Sequence, residues 1–379
     1  MIKQVFITAT NCVTPIGFDV AANIKNIEGQ VSAIKLHDNT SLMKSPFYAA
    51  IINDDKLNSA FANITKLEDF TRLEKMMILA LEPVIRNSKV KLDKRTAFIL
   101  STTKGNITAL KDSSAEGFEK AKLNTLAKAV GDFFGFLTEP IVISNACVSG
   151  VLAISVAKRL IQAGMYDDVF IVAGDEVSEF VLSGFTSFQA ISDLPCRPYS
   201  ANRTGVTLGE AAAAVLVSSN GENAMIKIVG DGSINDANHI SGPSRTGEGL
   251  VKSIASALAE ARVEAKQLDY ISAHGTATPF NDEMEAIALN HLGLEDVPVN
   301  SLKGFYGHTL GASGLLETVI GIESVNQGRL FMSMGFDESG VSVPINIIEK
   351  NANKDINYFL KTASGFGGCN TAVLFKKAD

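Results

Sequence analysis

Apolar positions along the chain fall into short runs of strand length, separated by longer stretches with helical spacing. VFITAT, RTAFIL, PIVIS, VFIVAG, AAVLV, IKIVG, YISAHG and AVLFKK read as strands. RLEKMMILALEPVIRNS and GVLAISVAKRLIQAG repeat their apolar positions three and four apart and read as helices. Alternation of the two types predicts an α/β protein. The opening MIKQVFITATNCVTPIG has its apolar run broken by Thr, Asn and Pro and lacks a charged leader before a long apolar core. It reads as a buried first strand and turn, not a signal peptide.

Two segments echo one another. Residues 140–164 and 298–328 each start with Pro and a short apolar strand, pass through a turn of small residues, and enter a helix of small and aliphatic residues that ends at Gly. A duplicated βα unit follows, with its boundary at the polar SSNGEN near Ser218 to Glu222 and halves of 1–220 and 221–379. EAAAAVLV and GASG read as helical stretches whose small residues suit burial between two sheets, which predicts a central helical layer.

Composition narrows the function classes. With 46% apolar and 20% charged residues the chain is that of an ordinary globular protein, and no run approaches a membrane span. A net charge of −7 argues against nucleic-acid binding, which needs a basic surface. Cys12, Cys147, Cys196 and Cys369 are scattered, without disulfide density or C-x-x-C spacing, so a reduced cytoplasmic setting is the default. The five histidines show no metal-ligand spacing, and no metal is expected.

Candidate chemistry centres on SNACVSG. Cys147 lies between a strand and a helix, where the helix dipole favours a thiolate and backbone N–H groups face an incoming oxyanion. An arbitrary Cys is more often a small buried hydrophobe, so the reading needs partners. His274 in ISAHGTATPFNDEMEAIAL follows a strand, with a helix expected to open at Asn281 or Asp282. His308 in NSLKGFYGHTLGASG occupies a matching turn, with Lys303 just upstream.

NACVSG, RPYSANRTGVTLGEAAAAVL, HGTATPFNDEMEA, KGFYGHTLGASGLLE and the terminal GFGGCNTAVLF, in this order, resemble the β-ketoacyl-acyl carrier protein synthases (KAS I/II-like) of the thiolase superfamily. The likeness covers nearly the whole chain. It implies a thiolase-like, five-layered α-β-α-β-α sandwich and a decarboxylative Claisen condensation of a malonyl thioester in fatty acid or polyketide biosynthesis, without a cofactor. By position, Cys147 accepts the acyl group and His274 and His308 flank it. Lys303 and Glu317 support the second His. Phe366 gates the site, and its N–H joins that of Cys147 in the oxyanion hole. Thr276, Thr278, Asp282 and Glu285 have orienting or structural roles. Acyl carrier protein is the implied partner, with Arg203 at a carrier-contacting position and Lys66, Arg72 and Lys75 as candidates by charge alone. A homodimer is expected, a heterodimer being an alternative.

Some features depart from the family pattern. The stretch between Lys104 and Pro140 is short and lacks an expected channel-covering loop. Ser364, Cys369, Thr207 and the Ala run after Glu210 replace other residue types. A specialised primer, polyene or aryl, would fit these changes. Two rival readings stand beside the condensing enzyme. One is a thiolase using Cys369 as a second thiol, and the other is a noncatalytic subunit of a ketosynthase heterodimer, which retention of Cys147 and both histidines disfavours.

Overall fold

The computed structural model describes residues 3–67, 69–237 and 242–378. The main strands are β1 (Val5–Val13), β2 (Thr96–Ser101), β3 (Ile141–Ile143), β4 (Asp168–Asp175), β5 (Ala211–Ser218), β6 (Ile226–Asn235), β7 (Tyr270–Ser272), β8 (Val299–Asn300), β9 (Tyr358–Gly365) and β10 (Cys369–Lys377). The helices that build the layers and the site are α1 (Arg72–Ser88), α2 (Ser149–Gln162), α3 (Glu179–Ser187), α4 (Glu248–Ala261), α5 (Pro279–His291) and α6 (Ser313–Gln327).

Strands run in space as β3-β2-β4-β5-β1-β6-β10-β9-β7-β8. Read outward from the middle, the first half orders as first, fifth, fourth, second, third strand, and the second half repeats that order. Pairing sense repeats too. β2 is parallel to β3 and β4, and β4–β5 and β5–β1 are antiparallel. Likewise β7 is parallel to β8 and β9, and β9–β10 and β10–β6 are antiparallel. The halves join where Val5, Phe6 and Ile7 of β1 pair with Ile228, Lys227 and Ile226.

Alternating side chains then decide the layers. On β2, Phe98 and Leu100 pack with Leu73, Met76 and Met77 of α1, whereas Ala97 and Ile99 face Val151 and Ile154 of α2. Across the centre, Val319 and Ile320 of α6 meet Phe359 and Val373 of the second half. Leu250 and Ile254 of α4 and Met284 of α5 cover its far side against Ile271 and Leu360. The result is the five-layered thiolase-like fold, with α2 and α6 in the middle. Small residues let those two helices meet almost backbone to backbone: a Cβ at Gly150 would lie 2.7 Å from the Gly311 O and the Leu315 N, and one at Gly314 would lie 2.4 Å from Val151 Cγ2.

Of the two readings of one segment, AAVLV as a strand holds and EAAAAVLV as a helical stretch does not: Ala211–Ser218 is strand β5, paired on both sides by β1 and β4 and buried throughout. Alanine is a poor strand former, but two antiparallel neighbours and helices on both faces override that preference. β9 carries Lys361 amid small residues and has no clear strand pattern in the sequence, yet it is buried. α5 opens at Pro279, two or three residues before the expected start at Asn281 or Asp282. Between Lys104 and Pro140 lie helices Ala115–Ala121 and Leu123–Phe134. No helix among the described residues is long and apolar enough to cross a membrane.

Candidate active site

Cys147 sits on a sharp elbow between β3 and α2. Ala146 takes a left-handed φ of 43°, and the turn is closed by the Asn145 N–H donating to Ser149 Oγ (2.8 Å) and by Ser149 Oγ–H donating to the Ala146 carbonyl (2.6 Å). Such a turn presents the residue before the helix to the cavity instead of the core. His274 leaves the end of β7, and Glu285 of α5 holds the turn by accepting from the N–H groups of His274 (2.8 Å) and Gly275 (2.7 Å). The Tyr199 hydroxyl and the Asn281 amide also donate to Glu285, at 3.0 and 2.9 Å. His308 follows β8, with its N–H donating to the Thr207 carbonyl at 2.6 Å.

These three residues, separated by 127 and 34 positions along the chain, converge. His308 Nε2 is 3.1 Å from Cys147 Sγ, and its Nδ1 is 3.0 Å from Ser313 Oγ. The imidazole centroids of His274 and His308 lie 5.2 Å apart, nearly perpendicular at 85°. One donor atom from each of Cys147, His274 and His308 lies within 4.8 Å of the others. A soft cation could bridge such a set, but the short thiol–imidazole contact and the open cavity beside it fit a reaction centre better. His274 Nδ1 is buried and has no hydrogen-bond partner among the described residues.

Beneath the imidazoles lies a fully buried ionic cluster. Lys303 Nζ donates to the His274 carbonyl (2.5 Å) and to Glu317 Oε1 (2.7 Å). Lys361 from β9 forms an ion pair with the other Glu317 oxygen at 2.6 Å and donates to the Ser272 and Ala273 carbonyls at 3.1 and 3.2 Å. Burial, then Lys303, holds the pKa of both imidazoles well below 6.5, with His308 and Lys361 adding to the effect on His274 and Lys361 to that on His308. Burial also pushes the Cys147 thiol up to about 12, with Lys303 among the groups opposing it. Burial thus works against the thiolate that the helix dipole favours, and against charged imidazoles.

Phe366 heads the tight turn between β9 and β10, where Gly365 pairs with Cys369 and Gly367 and Gly368 take φ of 89° and 78°. Its ring rests on Phe185 (5.4 Å) and Phe188 (5.1 Å). A Cβ at Gly365 would lie 3.0 Å from the Cys147 N, so the strand end carrying Phe366 runs against the nucleophile's amide. Strand β10 follows this Gly-rich turn, and no helix follows that could cradle a phosphate. The cavity over the sulfur has a volume of about 450 Å³ and is lined by Phe185, Phe188, Phe280, Met284 and Phe366 together with the three central residues.

Other expected residues fall into place or out of it. Thr276 and Thr278 line the cavity with hydroxyls 2.9 Å apart. Asp282 accepts from the N–H groups of Tyr199 (2.7 Å) and Ala277 (3.2 Å), and burial raises its pKa to about 7. Arg203 has a side chain 8% exposed, lies 3.8 Å from Asp282, and donates to the carbonyls of Ser200 and Gly340. It clamps the loop before α5, its Nη2 reaching the Pro279 carbonyl at 3.3 Å on the exposed side. Arg72 is likewise held by Glu210 and Asp54, and Lys75 donates to Asn58, whereas Lys66 stands exposed. The sequence reading missed Lys361, Ser313 and Asp175. The last accepts from Thr102, Thr103 and the Gly311 N–H (2.8 Å), tying the end of β4 to the turn after His308. A lone Lys in a strand of otherwise uncharged residues was the one signal for Lys361.

This is the fold and site of an acyltransferase with a duplicated α/β core. The family model "Beta-ketoacyl synthase, N-terminal domain" matches residues 3–223 and "Beta-ketoacyl synthase, C-terminal domain" matches 225–337. The chain belongs to the β-ketoacyl synthase family of condensing acyltransferases. It is 26% identical to 3-oxoacyl-[acyl-carrier-protein] synthase 2 of Staphylococcus aureus (strain COL), covering 100% of this chain and 99% of that protein. Similar solved structures include a beta-ketoacyl synthase from Burkholderia phymatum (TM-score 0.87, 23% identity, 100% of both chains). Another is the ketosynthase ApeO in complex with its chain length factor ApeC from Xenorhabdus doucetiae (TM-score 0.85, 23% identity, 99% of this chain and 98% of that one).

Proposed function

We propose that Cys147, His274 and His308 carry out a decarboxylative condensation between an acyl group on the sulfur and a malonyl thioester. The observation that carries this reading is the 3.1 Å contact of His308 Nε2 with Cys147 Sγ beside a second neutral imidazole in an apolar cavity. In the first half-reaction the sulfur attacks the acyl thioester while His308 Nε2 takes its proton. That proton then leaves with the departing carrier thiol. N–H groups of Cys147 and Phe366 stabilise the tetrahedral oxyanion. In the second, carbon dioxide departs and enolate charge gathers on the malonyl thioester oxygen, where N–H donors from His274 and His308 are each worth about 3 kcal/mol in a dry site. The enolate carbon attacks the acyl-Cys, and Cys147 leaves as the thiolate. Ser313 Oγ can donate or accept at His308 Nδ1, so it supports His308 both as proton acceptor and as hydrogen-bond donor.

The partner we infer is acyl carrier protein, in keeping with the names of the S. aureus relatives, and the assembly is a dimer, homodimeric or paired with a second subunit. Its four free cysteines suit a reducing compartment such as the cytoplasm. The aromatic lining supports a specialised primer, and a panel of saturated and aromatic acyl carriers tests that preference. The test of the reaction supplies malonyl and acyl carrier thioesters, and separately acetoacetyl-CoA with CoA. One carbon dioxide per β-ketoacyl product supports condensation. Rapid thiolysis without carbon dioxide would instead support the thiolase reading, for which Cys369 stands ready near the nucleophile, its Sγ 3.4 Å from the Phe366 carbonyl.

A further inference from the structure

We propose that Lys361 is a second buried cation of the reaction centre, a positioning residue that shares Glu317 with Lys303 and adds positive charge behind the two imidazoles. The inference rests on the condensing reading above and deepens it. Lys361 Nζ donates to the carbonyls of Ser272 and Ala273 at 3.1 and 3.2 Å and lies 2.6 Å from Glu317 Oε2 as an ion pair. A buried carboxylate at that distance favours the ammonium over the neutral amine. Burial alone would lower its pKa, and Glu317 opposes that. Ser272 and Ala273 are the two residues that lead into His274, and Lys361 lies on β9, which ends at Gly365 immediately before Phe366. One side chain thus ties the support of one imidazole to the strand that carries the gate.

Charge decides what this does. Lys303 and Lys361 against Glu317 sum to one positive charge. Glu285 adds a carboxylate at the backbone of His274, and Asp175 faces the turn after His308 through Gly311. The two ammonium groups next to the imidazoles oppose these carboxylates and disfavour protonation of His274 and His308, so that His308 is neutral when the thiol proton arrives.

The test compares Lys361→Gln, which keeps a donor for the carbonyls but loses the charge, with Glu317→Gln and with the double variant Glu317→Gln/Lys361→Gln. Each is read by NMR of histidine-labelled enzyme, five imidazoles in all, and by the pH profile of malonyl thioester decarboxylation. Lys361→Gln should move imidazole protonation and the acid limb to higher pH, lowering the rate on that limb roughly three- to tenfold. The double variant, again with one net positive charge, should return both toward their original positions. If Lys361→Gln does not fold, the difference between Glu317→Gln and the double variant reads the same charge. Imidazole titrations that stay in place when the charge is removed would overturn the proposal. An enzyme without decarboxylation in any form refutes the condensing reading instead, while the NMR titration still decides the role of Lys361.

Discussion

Replacement of Gly150 by Ala tests whether the close approach of α2 and α6 sets the catalytic geometry. The added methyl would lie 2.7 Å from both the Gly311 O and the Leu315 N, about 0.7 Å inside the 3.4 Å where ordinary contact begins. Both obstacles are backbone, so no side-chain rotation relieves the clash and the helices must separate. Cys147 precedes α2 by two residues and His308 precedes α6 by five, so separation lengthens the sulfur–imidazole contact from its 3.1 Å. Overpacking of this kind costs about 1–3 kcal/mol of stability, and a displacement near 1 Å at reacting groups costs on the order of 100-fold in rate. Urea unfolding and single-turnover decarboxylation on the same preparation measure both. A Gly150→Ala enzyme with native stability and native turnover would show that the two helices do not fix the site.

Other outcomes follow from the same geometry. Alkylation of Cys147 by iodoacetamide should be slow near neutral pH and still rising beyond about pH 9, because burial pushes the thiol up to about 12, whereas a plateau near pH 8 would contradict a neutral resting thiol. His274→Ala and His308→Ala should each lower decarboxylation by about 100- to 1,000-fold, as loss of an oxyanion donor does, with steady-state kinetics as the check. Arg203→Ala should destabilise the fold by about 1–3 kcal/mol by leaving the buried Asp282 without its cation, and should leave the carrier KM unchanged. A raised carrier KM with native stability would restore Arg203 to the docking surface.

Much of the fold was legible because its strands and helices keep clean periodicity. RLEKMMILALEPVIRNS coincides with α1, whose Thr71 and Glu74 form a capping box, and the echo between residues 140–164 and 298–328 corresponds to β3–α2 and β8–α6. The Ala run of β5 misled because local propensity cannot report that two strands and two helical layers enclose it. At the site, Cys147, His274 and His308 were visible as residues in strand-end turns. Their convergence came from the family resemblance and not from spacing, since it depends on how two halves stack. Lys361 escaped notice because its value lies in a carboxylate 44 residues away, and the tie of Arg203 to Asp282 is likewise a tertiary fact.

The most direct measurement is intact-protein mass after incubation with acyl carrier thioesters, followed by addition of malonyl carrier thioester. The account predicts a single acyl adduct that maps to the Cys147 peptide, is absent from Cys147→Ala, and is discharged as a β-ketoacyl product with one carbon dioxide released. An adduct on another residue, or an acyl-Cys147 that malonyl thioester leaves untouched, would contradict it.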